Sequence, residues 1–451
     1  MRRRAKHDWS RQGLRTPLVM LGLGGLVLVG LQLASARADI IVDGPSMSGR
    51  TYDFLVSLGV NTHLEYTDSA YADVGRVIAD LNYIGIHNLR DGTPQPNGGI
   101  PYNHYLSALQ QVGFSGNRFD LVTGTGQSLV ITLGAIQGVA VERPGSLVAV
   151  EGPNEINNAP ASYLGLHGEA AALVFQKDLY SSVHKSSVLK NVSVYLYTGG
   201  GSLDIEHRPG LADAANQHPY PNQGEQPGQH IASSFAGMFG NGAYKKVITE
   251  IGYFSQPTIQ TGNSVDAATQ AKGTLNLLFD AYKQGIDKTY LYQLLNAYPG
   301  NQQNTDSAYG LFRFDNTPTL AATALHAMTG ILAKGASTAP VTGVPATPRP
   351  VRSLHGLPAL AECLLLQKRV GVYDLVIWAE PPFWNQKRHR RLRVWPTDVT
   401  IDLVTAARAI TVFDPMTGLR PVRSLADASS LDVPISDHPL IIEIQLKATG
   451  P

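Results

Sequence analysis

Cysteine is almost missing from this 451-residue chain: Cys363 stands alone. An intramolecular disulfide is therefore excluded, as is a zinc site built from several thiolates. An excess of either charge is lacking too, with 36 Lys and Arg against 35 Asp and Glu. There is no G-x-S-x-G elbow, no H-E-x-x-H pair and no P-loop, and Gly124-Thr125-Gly126 lacks the third glycine of a dinucleotide turn. The 13 His are scattered without ligand spacing, so no metal site is expected. What is abundant is apolar residues, at 43%, together with 45 Gly and 28 Pro. That composition suits a large core with many short loops.

The first 38 residues look like a signal peptide rather than part of the fold. Arg2, Arg3, Arg4, Lys6, Arg11 and Arg15 form a basic start, Leu18 to Leu33 is almost wholly apolar, and Ala36-Arg37-Ala38 is a small-x-small cleavage site. Export to the periplasm or outside is expected, with an uncleaved anchor as the alternative. Glycines 22, 24, 25 and 30 weaken the run as a stable helix. Losing seven basic residues and one acid takes the formal charge from +1 to about −5. A mildly acidic product has no field for nucleic acid and, after cleavage, no membrane span.

From Asp39 to Leu332, short apolar runs alternate with longer stretches of helical spacing. Strands are expected at 58–63, 86–91, 119–123, 147–150, 192–197, 214–218, 246–251 and 288–294. The helices between them include 72–84, 170–184, 231–239, 267–282 and 321–332. Eight such alternations predict a (β/α)8 TIM barrel over 39–332. A doubly wound sheet is the alternative, weakened by the missing phosphate turn. Residues 333–350, rich in Pro, Ala and Thr, form an expected linker. Short β-type runs separated by turns then predict a small β-sandwich over 351–451.

Two of the barrel strands end alike. Residues 147–157 read LVAVEGPNEIN, placing Glu155 just past the fourth strand, and 246–252 read KVITEIG, placing Glu250 at the end of the seventh. Carboxylates at the carboxyl ends of barrel strands sit where such folds place their chemistry. A lone carboxylate there could equally cap a helix. A facing pair is what glycoside hydrolysis requires, one group protonating the leaving oxygen while the other attacks or activates water. The acid is expected to have a raised pKa, helped by its ionised neighbour. Glu151, one position too deep, is expected to pair with a neighbouring basic group.

With Asn154-Glu155 and Glu250 in these places, the chain resembles the retaining glycoside hydrolases of clan A. It is most similar to bacterial family 39-like proteins, with families 5 and 30 as alternatives. The resemblance implies that Glu155 is the acid/base and Glu250 the nucleophile. It implies further that Arg90 holds the nucleophile ionised, Asn154 binds the sugar 2-hydroxyl, and Tyr220 of His218-Pro219-Tyr220 hydrogen-bonds the nucleophile. His63 is a candidate for the pocket floor. Relatives place a tryptophan after the eighth strand, but the four Trp here are Trp9, Trp378, Trp384 and Trp395, none within the barrel. Sugar stacking would fall to tyrosines, with Tyr298 and Tyr253 as candidates.

The expected protein is thus an exported retaining glycosidase acting on an oligo- or polysaccharide, with no cofactor. A non-catalytic carbohydrate-binding protein and a transglycosylase are the alternatives. The basic run Lys387-Arg388-His389-Arg390-Arg391, with Arg393 behind it, is either a solvated hairpin or a contact for an acidic polysaccharide or membrane surface.

Overall fold

The computed structural model describes residues 42–45, 47–95, 102–200, 209–221, 224–236, 238, 244–256, 264–299, 308–339 and 349–447. The expected signal peptide and half of the expected linker, residues 340–348, lie outside these residues.

Eight parallel strands close into a barrel: β1 (Leu58–Asn61), β2 (Asn88–Gly92), β3 (Arg118–Val122), β4 (Leu147–Glu151), β5 (Ser193–Tyr195), β6 (Ala214–Gln217), β7 (Lys245–Ile251) and β8 (Ile286–Leu291). Apolar stretches such as Leu147–Val150 of β4 follow from burial on both faces, inside by the lumen and outside by helices. The closing seam pairs Tyr290 of β8 with Gly59 of β1. A Cβ on Gly59 would lie 2.4 Å from the Tyr290 ring, so that crossing requires glycine.

The surrounding helices are α1 (Thr51–Ser57), α2 (Val74–Ile84), α3 (Tyr102–Phe114), α4 (Leu129–Glu142), α5 (Gly168–Lys185), α6 (Pro227–Ser234), α7 (Ala267–Lys283) and α8 (Leu320–Ala333). In α2, Val77, Leu81 and Ile84 turn toward the core. Asp73 caps its start by accepting from Arg76 N (3.1 Å), and Gly85 ends it at φ 65°. Asp266 and Thr319 cap α7 and α8 the same way. One expected helix is displaced: 231–239 is replaced by α6, because Pro227 fits the first helical turn and starts it earlier. Among the described residues no helix is long and apolar enough to cross a membrane.

Beyond the barrel come β9 (Val351–His355), β10 (Ala361–Arg369), β11 (Val372–Ala379), β12 (Thr397–Leu403), β13 (Ala407–Phe413), β14 (Arg423–Ala426), β15 (Ser430–Ile435) and β16 (Leu440–Leu446). They form a four-stranded and a six-stranded sheet that share one apolar cluster, including Leu354, Ile401 and Val433 from the first and Leu375, Ile410 and Ile442 from the second. Residues 42–50 join these sheets and not the barrel: Val42–Asp43 pairs with β9, and Met47–Arg50 with β10. The barrel therefore starts later than Asp39, and residues 42–50 build the second module together with residues 351–446.

Buried polar contacts fasten the six-stranded sheet to the barrel helices. Lys368 Nζ, fully buried, donates to Ile331 O of α8 (2.9 Å) and to Glu443 (2.6 Å). Thr51 Oγ1 donates to Asp374 (2.8 Å), and Trp378 Nε1 to Asp280 of α7 (3.2 Å). Leaving any of these groups unpaired would cost about 1–3 kcal/mol, so the modules separate only at considerable expense.

Candidate active site

Arg90, on β2, organises the mouth of the barrel. Its side chain is 5% exposed, and each of its five N–H bonds has an acceptor. Nε and Nη2 form a two-pronged contact with Glu151 (2.8 and 2.9 Å), and Nη2 also donates to Asn154 Oδ1 (2.7 Å). Nη1 donates to Asn61 Oδ1 (3.0 Å) and to Glu250 Oε1. Glu151 thus pairs with a cation, as its depth on β4 suggested. The flat guanidinium fork fixes three strands' side chains in one plane, which an ammonium could not do.

Glu250 receives a second donor, the Tyr220 hydroxyl, at Oε2 (2.8 Å). Burial alone would push its pKa up. The nearby His218 and Arg90 charges and the Tyr220 and Arg90 hydrogen bonds outweigh that, so the carboxyl is held below its ordinary value. Tyr220 is pushed far above its ordinary value, by burial first and then by Glu250, and stays a donor.

Glu155 sits four residues beyond β4 in a left-handed turn, φ 39°, a conformation seldom adopted by non-glycine residues. The turn is pinned by Glu155 N donating to Thr198 Oγ1 (2.9 Å) and Ile156 N to Thr198 O (3.0 Å). Gly199 makes room, since a Cβ there would lie 2.8 Å from Glu155 Cα. The Glu155 carboxyl faces His218 Nδ1 at 2.9 Å and accepts from Asn158 Nδ2 at 2.7 Å.

Contrary to expectation, the Glu155 pKa is lowered. The His218 hydrogen bond leads this effect, opposed by burial and the Glu250 charge. The neighbouring network explains it. His218 Nε2 lies 2.9 Å from Thr249 Oγ1, and that hydroxyl faces two acceptors, Glu151 Oε1 (3.1 Å) and Asn216 Oδ1 (3.0 Å). Its single proton goes to one of them, so it accepts from His218 Nε2–H. The contact between His218 Nδ1 and Glu155 therefore carries one proton, on the nitrogen or on the carboxyl oxygen.

The two carboxyl groups present oxygens within 4.8 Å of each other and of the His218 nitrogen. Among the described residues this is the one trio of ligating side chains close enough to hold a metal ion. Each member is already engaged by protein groups.

Glu155 and Glu250, with Arg90, Asn154 and Tyr220, line a cleft of about 630 Å³, which also includes His63, Tyr66, Tyr292 and Tyr309. His63, suggested for the floor, is there, stacked on Tyr66 with ring centroids 4.7 Å apart. The other aromatic candidates lie elsewhere. Tyr298 sits behind Tyr66 and donates to Asp68 (2.8 Å), outside the cleft lining. Tyr253 is 2% exposed, bonded to Glu225 O (2.7 Å), because its ring is covered by the second module. The aromatic wall is instead Tyr66, Tyr220, Tyr292 and Tyr309.

Sequence reasoning also missed a carboxyl pair, Glu65 and Asp91. Asp91 accepts from Thr62 Oγ1 (2.5 Å), Leu64 N (3.1 Å), Gly92 N (2.8 Å) and Tyr105 OH (2.8 Å). Burial pushes both groups up, and at Asp91 the neighbouring Glu65 charge adds to it. Asp91 directly follows Arg90, but nothing in the sequence marks Glu65 as its partner.

Comparison with solved structures places this geometry in a known fold. A family 39 glycoside hydrolase from Bacteroides cellulosilyticus WH2 superposes with a TM-score of 0.59 at 15% identity, over 89% of this chain and 83% of that one. The fold is that of family 39 glycoside hydrolases. A monomeric β-xylosidase from Caulobacter crescentus CB15 gives 0.52 at 11% identity, covering 90% and 98%. A 4-O-α-L-rhamnosyl-β-D-glucuronidase from Fusarium oxysporum 12S gives 0.51 at 12%, covering 90% and 97%. No family model and no curated protein matches the sequence. The likeness spans both modules, so the barrel and its trailing sheets are shared as one architecture.

Proposed function

We propose that the protein is an exported retaining glycoside hydrolase that cleaves O-glycosidic bonds of an oligo- or polysaccharide, with the two C-terminal sheets acting as a β-sandwich beside the catalytic barrel. The observation that carries this reading is the spacing of Glu155 and Glu250, whose nearest oxygens lie within 4.8 Å. Carboxyl groups about 5–5.5 Å apart leave no room for an intervening water, so one attacks carbon directly.

Glu250 is the nucleophile in this mechanism. Its lowered pKa keeps it ionised, and Arg90 and Tyr220 aim its oxygens. As Glu250 attacks the anomeric carbon, the bond to the leaving oxygen breaks and that oxygen takes the proton held between His218 and Glu155. The leaving sugar departs as an alcohol, and the glycosyl group is left as an ester on Glu250. Water then attacks the anomeric carbon, breaking its bond to Glu250 and giving its proton to Glu155, which restores both carboxyl groups. Two inversions give net retention. Asn154, held by Arg90, offers its amide nitrogen to the sugar's 2-hydroxyl.

That the fold neighbours include a family 39 glycoside hydrolase and a β-xylosidase supports this assignment. The test is a 2-deoxy-2-fluoroglycosyl label with a good leaving group, followed by peptide mass analysis. The expected result is covalent attachment at Glu250. No attachment, together with an inert panel of aryl glycosides, would favour a carbohydrate-binding protein on a barrel scaffold.

A further inference from the structure

Between β11 and β12 the second module extends an arm, Glu380 to Trp395, onto the barrel. Its hairpin pairs Trp384–Asn385 with Arg390–Arg391. The tip is stiff: Asn385 Oδ1 accepts from Arg388 N (3.0 Å), and His389 turns the chain at φ 42°. Several contacts seat the arm on the loops that follow β6 and β7. The Trp384 indole lies so close over Gly224 that a Cβ there would be 2.6 Å away. Gln226 Nε2 donates to Pro381 O (2.8 Å), Phe383 packs 6.5 Å from Tyr253, and Arg391 pairs with Asp266 at 2.6 Å.

Those loops belong to the catalytic rim. Strand β6 leads to His218 and Tyr220, and β7 carries Glu250. From Asp266 the contacts run inward through Val265, whose N donates to Phe254 O (2.9 Å), then from Phe254 to Tyr309 (ring centroids 5.5 Å), and Tyr309 lines the cleft. The arm thus shares the barrel face on which the cleft opens.

Its outer surface is a strip of cations. Lys387, Arg388, Arg390, Arg391 and Arg393 are all exposed, and among the described residues only Arg391 has an ion-pair partner. Trp395, 67% exposed, has the Arg393 guanidinium 3.5 Å over its ring, a stacked platform of aromatic and charge. The apolar side chains Phe383 and Trp384 face inward at 1% and 8% exposure, leaving one exposed ring and no apolar wedge for a bilayer. A flat ring flanked by fixed cations fits a polymer of pyranose rings bearing carboxylates or sulfates.

We propose that this arm is an accessory binding site for a polyanionic polysaccharide, holding the chain beside the cleft. The site extends the glycosidase reading, but its binding can be measured without turnover.

The experiment uses the full chain in affinity electrophoresis against polygalacturonate, dextran and vesicles of phosphatidylglycerol with phosphatidylcholine. Polygalacturonate should retard the protein at 20 mM salt, much less at 150 mM, and dextran hardly at all. The triple variant Lys387→Ala/Arg388→Ala/Arg390→Ala spares the Arg391–Asp266 contact, and should bind at least tenfold more weakly with its melting temperature unchanged. Trp395→Ala should weaken binding without altering its salt dependence. Both variants should cleave a small aryl glycoside within twofold of the parent; if neither parent nor variant cleaves one, the glycosidase reading fails while the binding result stands. The proposal is overturned if polygalacturonate fails to bind, if the triple variant binds it unchanged, or if only the vesicles bind.

Discussion

Replacing Tyr220 with Phe isolates the device that keeps Glu250 ionised. The substitution removes one oxygen and leaves the ring among Tyr292 and Tyr309, with centroids 6.4 and 5.6 Å away. What disappears is a 2.8 Å hydrogen bond from a neutral hydroxyl to a carboxylate that is otherwise almost enclosed. A hydrogen bond to a charged group contributes about 1.5–3 kcal/mol, and one pKa unit corresponds to about 1.4 kcal/mol. Because Tyr220 donates to the charged form, its loss raises the Glu250 pKa by about 1–2 units. The acid limb of the kcat/KM profile reports the group that must be ionised in the free enzyme, so it should move to higher pH by that amount. The assay is aryl-glycoside hydrolysis between about pH 4 and 8, paired with inactivation by the 2-fluoroglycosyl label, which should shift in parallel. An acid limb that stays in place while the plateau falls would refute the reasoning, since Tyr220 would then be positioning substrate and not tuning the carboxylate.

Three further outcomes follow from the same geometry. Glu155→Gln should slow glycosides with poor leaving groups by about 1000-fold or more, with dinitrophenyl glycosides much less affected, because only the former need the proton; comparable losses on both would remove Glu155 from the acid role. Arg90→Met leaves Glu151 and Glu250 buried without their shared cation, and should cost about 3–5 kcal/mol in denaturant unfolding. Asp80, buried on α2, has its pKa pushed up to about 7 by burial. A folded-state pKa above the unfolded one gives stability that is complete below about pH 4 and lost as pH rises through 7. Asp80→Asn should therefore raise the melting temperature at pH 8, by about 1–2 kcal/mol of stability, and change little at pH 4.

The barrel was legible because its strands are short apolar runs cut by Gly, Pro and Asn, and its helices repeat apolar residues every three or four positions. The displaced α6 shows the limit of periodicity: Ile231 to Phe239 has helical spacing, but Pro227 sets the start. In the second module β15 is hard to read from the sequence although Leu431, Val433 and Ile435 alternate with exposed residues. Its Pro434 masks the signal and is accommodated because the strand lies at a sheet edge. Within the site, Glu155, Glu250 and Arg90 stand out as charges at strand ends. Tyr309 and Glu65 do not, because each lies in a loop where no period links it to the cleft. The state of the Glu155 proton was beyond reach for another reason. It depends on which way the Thr249 hydroxyl points, and that follows from three acceptors and donors brought from β4, β6 and β7.

Residues 42–50 have to wait for the end of the chain. Their partners β9 and β10 begin more than 300 residues later, and β10 is held in the six-stranded sheet by β11, itself paired with β16. During synthesis the barrel can collapse while its leading segment still has exposed backbone donors and acceptors. Only the last strands complete the sheets that this segment edges. Shortening the gene after α8 would accordingly release a barrel with an unpaired tail, prone to associate through its edges. A chain of this kind comes to a single close, as a belt does when its free end reaches the buckle.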